Sequence, residues 1–150
     1  MKLTNTKTNK SNKGMTLIEL TVVILVLLSL ISVLFIGARA WMRGSDRANA
    51  ALLIRNAQQG VRSHSNIMGV ETPATGAGEI AWPAADDLSD EIFGPGKYVE
   101  TATISTPPTH PAAGNSFIAA GTDFDSVPEL GSLYMTSNSD AAFYAPSGVQ

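Results

Sequence analysis

The stretch Lys13-Gly14-Met15-Thr16-Leu17-Ile18-Glu19-Leu20, with the apolar run that continues from it to Ala38, decides how the rest of this 150-residue chain is read. Before it, residues 1–14 are polar apart from Met1 and Leu3 and carry Lys2, Lys7, Lys10 and Lys13. Within it, Leu20 to Ala38 contains no charged side chain. Met15 to Ala38 is 24 residues. At about 1.5 Å rise per residue, a helix of that length spans a hydrocarbon core of about 30 Å. Its one charge, Glu19, costs on the order of a few kcal/mol in lipid unless it is paired or held near the interface. The segment therefore asks for a partner at its tip.

A secretory signal would place its small-residue cleavage site after the apolar stretch. Here the small residue, Gly14, precedes it, and no A-x-A-like site follows Phe35-Ile36-Gly37. The greasy segment is expected to stay with the mature chain.

Residues 13 to 20 resemble the prepilin cleavage motif of bacterial type IV pilins and type II secretion pseudopilins, and the resemblance extends over residues 1 to about 45. It implies that a membrane-embedded prepilin peptidase cuts between Gly14 and Met15 and that the new amine of Met15 is N-methylated. Glycine suits the cut because it has no Cβ to obstruct a protease. The resemblance further implies that Glu19 acts in assembly by pairing with the amine of a neighbouring subunit's first residue, neutralising both charges in an apolar surrounding. Two departures stand out: Met15 occupies a position where the family most often has phenylalanine, and the family's proline near the end of the apolar stretch is missing. Gly37 or Gly44 is expected to supply that weak point, since glycine costs a helix about 1 kcal/mol relative to alanine.

After Ala38 the sequence stays rich in helix formers with no proline until Pro73, so one helix is expected from about Thr16 to Met68. Ala51, Ile54, Val61 and Met68, flanked by Leu52, are its predicted apolar face. Arg39, Arg43 and Arg47 recur every four residues as a basic stripe, facing anionic headgroups, acidic heads of adjacent subunits, or water with Asp46 as local partner.

From Gly69 to Pro83 glycine, proline, threonine and alanine mark a loop. Asp86 or Asp87 caps a short helix to about Phe93, ended by Gly94-Pro95-Gly96. Tyr98–Ser105, Ser116–Ala120, Leu133–Ser137 and Ala142–Ala145 predict an antiparallel sheet. The expected fold is α+β: a long N-terminal helix, transmembrane in its first half and amphipathic in its second, packed on a small antiparallel β-sheet head. The expected divisions are a leader at 1–14, the helix at 15–68 with its filament-core part at 15–38, and the β-rich head at 69–150.

Composition narrows the function. There is no cysteine, hence no disulfide, thiolate metal site or cysteine nucleophile. After the cut, six basic side chains oppose thirteen acidic ones, a formal balance of −7. Beyond Gly69 only Lys97 opposes eleven carboxylates, a surface that repels phosphate backbones, so no direct nucleic-acid contact is expected. His64 and His110 have no nucleophile or ligand neighbours in sequence and read as surface residues; Trp82-Pro83 reads as core packing or a loop anchor. Asp123, Asp125 and Glu129 offer oxygen ligands for calcium but lack the ladder of an EF-hand loop, and a solvated acidic turn is the commoner outcome. No catalytic residue, cofactor or metal is assigned.

The expected role is a structural subunit of a type IV pilus or type II secretion pseudopilus, held in the bacterial inner membrane with its leader in the cytoplasm, then extruded into a periplasmic or extracellular filament. Its partners would be identical or related subunits, the peptidase, an inner-membrane assembly platform and, before assembly, lipid. The alternative is a single-pass, membrane-anchored periplasmic binding module that does not polymerise.

Overall fold

The computed structural model describes residues 15–83 and 85–147. The predicted leader, including Gly14, lies outside them. By packing, the chain divides into two units, Met1–Ala40 and Trp41–Gln150.

The helix α1 runs from Leu17 to Met68, 52 residues without interruption, so neither Gly37 nor Gly44 breaks it. Its start is set by a capping box at Thr16 and Glu19. Its end is a Schellman turn: Gly69 has φ +72°, the Val70 N–H donates to the Ser65 carbonyl at 2.9 Å, and the Gly69 N–H donates to that of Asn66 at 3.4 Å.

In the first unit, the described residues are α1 and the two residues preceding it, and every side chain is exposed. In the second unit α1 buries Ala50, Ile54, Ala57, Val61 and Ser65, steps of three and four that keep one face inward. The predicted face is thus half corrected. Ile54 and Val61 are in the core, but Ala51 is only half-buried, and Leu52 and Met68 are exposed. At about 100° per residue Ala51 sits some 60° round from Ile54 and Leu52 on the far side; Met68 has the right azimuth but lies in the last turn.

The rest of the core comes from β1 (Ile80–Ala81), α2 (Leu88–Ile92), β2 (Phe117–Ala119), β3 (Ser126–Val127), β4 (Met135–Ser137) and α3 (Ala141–Tyr144). Leu88, Ile92, Phe93, Val127, Tyr134 and Met135 are at most 2% exposed and meet Ile54 and Val61 in one cluster. Phe93 stacks on Tyr134 and Phe124 meets both rings edge-on, with centroids 5.5 to 5.9 Å apart.

The single predicted sheet is instead two antiparallel pairs, β1 with β3 (Ile80 opposite Val127) and β2 with β4 (Ile118 opposite Thr136). Tyr98–Ser105 forms no strand. Only Val99 makes a bridge, to Phe93, and then hydroxyls turn the chain: Thr101 Oγ1 donates to the Thr103 carbonyl and Ser105 is left-handed at φ +60°. The predicted strand Ala142–Ala145 is instead the helix α3, Ala141–Tyr144, with Ala145 extended at its C-cap, because Asp140 at φ +48° starts a turn that two alanines sustain. The predicted short helix is present as α2, with Asp87 at its N-cap.

Candidate assembly surface

Thr16 and Glu19 form a reciprocal cap. The Glu19 N–H donates to Thr16 Oγ1 at 3.4 Å, and the Thr16 N–H donates to Glu19 Oε2 at 3.4 Å, satisfying two donors a helix start otherwise leaves open. Thr16 is a capping residue the sequence reading missed, though the T-x-x-E spacing is its signal. The Thr16 hydroxyl also donates to Glu19 Oε2, at 3.5 Å, so both bonds that the carboxylate accepts end on Oε2 and leave the Oε1 lone pairs for an incoming donor. Met15 is exposed just before this cap.

Beyond the cap, the large apolar side chains from Leu17 to Ile36 are 48% to 81% exposed, and nothing within the described chain covers them. The hydroxyls in this run are turned back onto helix carbonyls: Thr21 onto Ile18 at 2.8 Å, Ser29 onto Val26 at 2.7 Å and Ser32 onto Leu28 at 2.8 Å. An apolar neighbour therefore meets no unpaired hydroxyl donor there. Trp41 and Met42, 80% and 63% exposed, follow the run. α1 is thus long and apolar enough to cross a membrane.

The basic stripe lies on exposed helix. Among the described residues the one ion pair is Lys97 with Glu91 at 2.9 Å, so Asp46 pairs with none of the arginines. Arg47 lies 5.0 Å over the Phe143 ring, and Arg55 Nη2 donates to the Ser147 carbonyl at 2.7 Å.

The acidic loop is used by the chain itself. Asp123 accepts the Asp125 N–H at 3.0 Å and Asp125 accepts the Ser89 N–H at 3.1 Å. Glu129 Oε2 takes the N–H groups of Gly76 and Gly78 at 2.8 and 2.9 Å, two left-handed glycines forming an anion nest. Those bonds, Gly78 first, hold its carboxyl below the ordinary glutamate range. Glu79 is lowered too, first by the Thr122 hydroxyl and then by the Thr122 N–H, which donates at 2.9 Å, with Ser126 contributing. Among the described residues no group of three or more carboxylates and histidines is placed to hold a metal ion.

Gln58, buried on α1, clamps the head by accepting the Tyr134 N–H at 2.6 Å and donating to the Ser132 carbonyl at 3.1 Å. The Tyr134 hydroxyl donates to the Phe124 carbonyl at 2.6 Å, and burial, with Asp125 and Asp123 nearby, pushes its pKa up. The histidine expectations split. His64 is half-buried, its ring tilted by 35° against that of Trp82 at 5.2 Å, and Trp82 packs against the core, the first of the two roles expected for it. His110 is not a surface residue: it is 5% exposed, wedged between Phe117 and Tyr144, because its Nδ1 accepts the Ala112 N–H and its ring fills the gap under α3.

No protein-family model, curated protein or solved structure matches the chain.

Proposed function

We propose that the chain is a structural subunit that assembles with copies or relatives of itself through α1, after a peptidase removes residues 1–14, as in the type IV pilins and type II secretion pseudopilins its N-terminus resembles. The observation that carries this reading is the bare apolar surface of Leu17 to Ile36 beneath a capped carboxylate at Glu19. Burying one large aliphatic side chain is worth about 1.5–3 kcal/mol, so leaving such a run in water costs tens of kcal/mol, and lipid or neighbouring helices must cover it. Exchanging lipid for neighbours keeps it dry throughout extrusion. At the tip, an amine freed on Met15 faces the positive end of the helix dipole, where a neighbour's carboxylate is favourable. Glu19 Oε1 supplies the acceptor.

In this reading the subunit waits in the bacterial inner membrane with residues 1–14 in the cytoplasm, meets the peptidase and an assembly platform, and ends in a periplasmic or extracellular filament. It performs no chemistry. Glu19→Gln tests the reading: normal membrane levels with filaments lost supports it. Filaments unaffected by the substitution, or a wild-type chain that stays monomeric in the membrane, favours the anchored binding module.

A further inference from the structure

Within one molecule the charges are segregated and unsatisfied. The five arginines all lie on α1 and none pairs with a carboxylate among the described residues, while Lys97, the head's one cation, is already taken by Glu91. Two of those arginines frame a groove. Between α1 and the turn Ala145–Ser147 runs an open cleft of about 400 Å³, floored by Gly44, Ala48, Ala51 and Leu52 and flanked by Arg47 and Arg55. Both guanidinium groups are fixed, one over Phe143 and one on the Ser147 carbonyl, each with donors left over.

The head carries the complement. Six of its eleven carboxylates are committed: Glu79, Asp123, Asp125 and Glu129 to backbone N–H groups, Asp90 to the Ser105 hydroxyl, Glu91 to Lys97. Of the other five, Glu71, Glu100 and Asp140 stand singly in the sequence, and only Asp86 and Asp87 offer two carboxylates side by side to a pair of guanidinium groups. Asp86 and Asp87 are adjacent and exposed, and the Asp87 side chain makes no cap bond to the helix it precedes. We infer that the Arg47–Arg55 groove is the docking site for the Asp86–Asp87 turn of a second copy. Guanidinium forks held in place suit carboxylates at defined positions, whereas a fluid lipid surface needs no such groove. Because the two halves of the contact do not meet inside one chain, each copy offers a free groove to one neighbour and a free acidic turn to another. Such a heterologous contact propagates instead of closing. This inference rests on the filament reading and names the polar contact that would fix the stagger between subunits.

The chain has no cysteine, so a cysteine pair reports only the engineered contact. Full-length chains carrying both Ala51→Cys and Asp87→Cys, oxidised with copper–phenanthroline in cells and in sheared filaments, are expected to give a ladder of multimers, with each single variant giving at most dimers. Arg47→Glu is expected to lose most filaments and Arg47→Glu with Asp87→Arg to recover them. If filaments form and depend on Glu19 while no ladder appears and Arg47→Glu assembles normally, the docking site is wrong and the filament reading stands. A wild-type chain that gives no filaments, together with a double-cysteine chain that gives no ladder, overturns both. Absence of a ladder together with Arg47-dependent binding to phosphatidylglycerol vesicles makes anionic lipid the occupant and also overturns the inference.

Discussion

Glu19, Gln58 and Glu129 show how three polar side chains do different work by the donors they meet. Glu19 is shared between its own helix cap and a free oxygen. Thr16→Ala removes the cap partner and is expected to cost the helix start about 1 kcal/mol, seen as faster amide exchange over residues 17–20 with the rest of α1 unchanged. Gln58→Leu strands a buried N–H and a carbonyl, and is expected to destabilise the second unit by about 2–4 kcal/mol in denaturant unfolding of the detergent-solubilised chain. Glu129 has a lowered pKa when folded, so the stability it supplies is present above its unfolded value of about 4.3 and is lost as pH falls through the lower folded value. Glu129→Gln should therefore lower Tm at pH 7 and match the wild type near the acid end of the profile. The Glu19 position is legible in sequence because it belongs to a local motif. The nest around Glu129 is not, because Gly76 and Gly78 approach it from 53 and 51 residues away.

Among the elements, legibility follows length. α1 could be read because helix formers run unbroken from the apolar stretch to a left-handed glycine, and its limits are those the sequence predicts to within a residue or two. β2 and β4 lie within the predicted stretches Ser116–Ala120 and Leu133–Ser137, whereas β1 and β3, two residues each, are too short to carry a signal and are set by the pairing of Ile80 with Val127 from a distance. The segment Tyr98–Ser105 has strand-like residues, yet its hydroxyls and Ser105 backbone bend it into turns. What Tyr98 does instead is press on α1: a Cβ at Gly60 would come within 2.7 Å of Tyr98 Cβ. Gly60→Ala is expected to destabilise the second unit by about 1–3 kcal/mol despite alanine's better helix propensity. At Gly37, where a Cβ meets nothing within 4 Å, the same substitution is expected to be neutral or stabilising, and the pair of unfolding curves separates packing from propensity.

For the whole molecule, the decisive feature is a contrast between units: one leaves its apolar side chains bare, the other encloses a core around Ile54, Phe93 and Tyr134. A surface so divided is unfinished on its own, and its charges are as unmatched as its apolar run. Raising ionic strength from about 0.1 M to 1 M shortens the screening length from about 10 Å to about 3 Å, and in the proposed assembly should loosen the polar contacts between copies while leaving apolar helix packing intact. Filaments are then expected to lose stiffness or stagger, seen in the regularity of their images, before they dissolve. In the proposed assembly the hydrophobic rod is retained and its end is made by a cut. Intact mass of the chain taken from native membranes tests it most directly. The expected mass lacks residues 1–14 and carries one added methyl on Met15; a chain still bearing its lysines, or one beginning beyond Ile36, contradicts it.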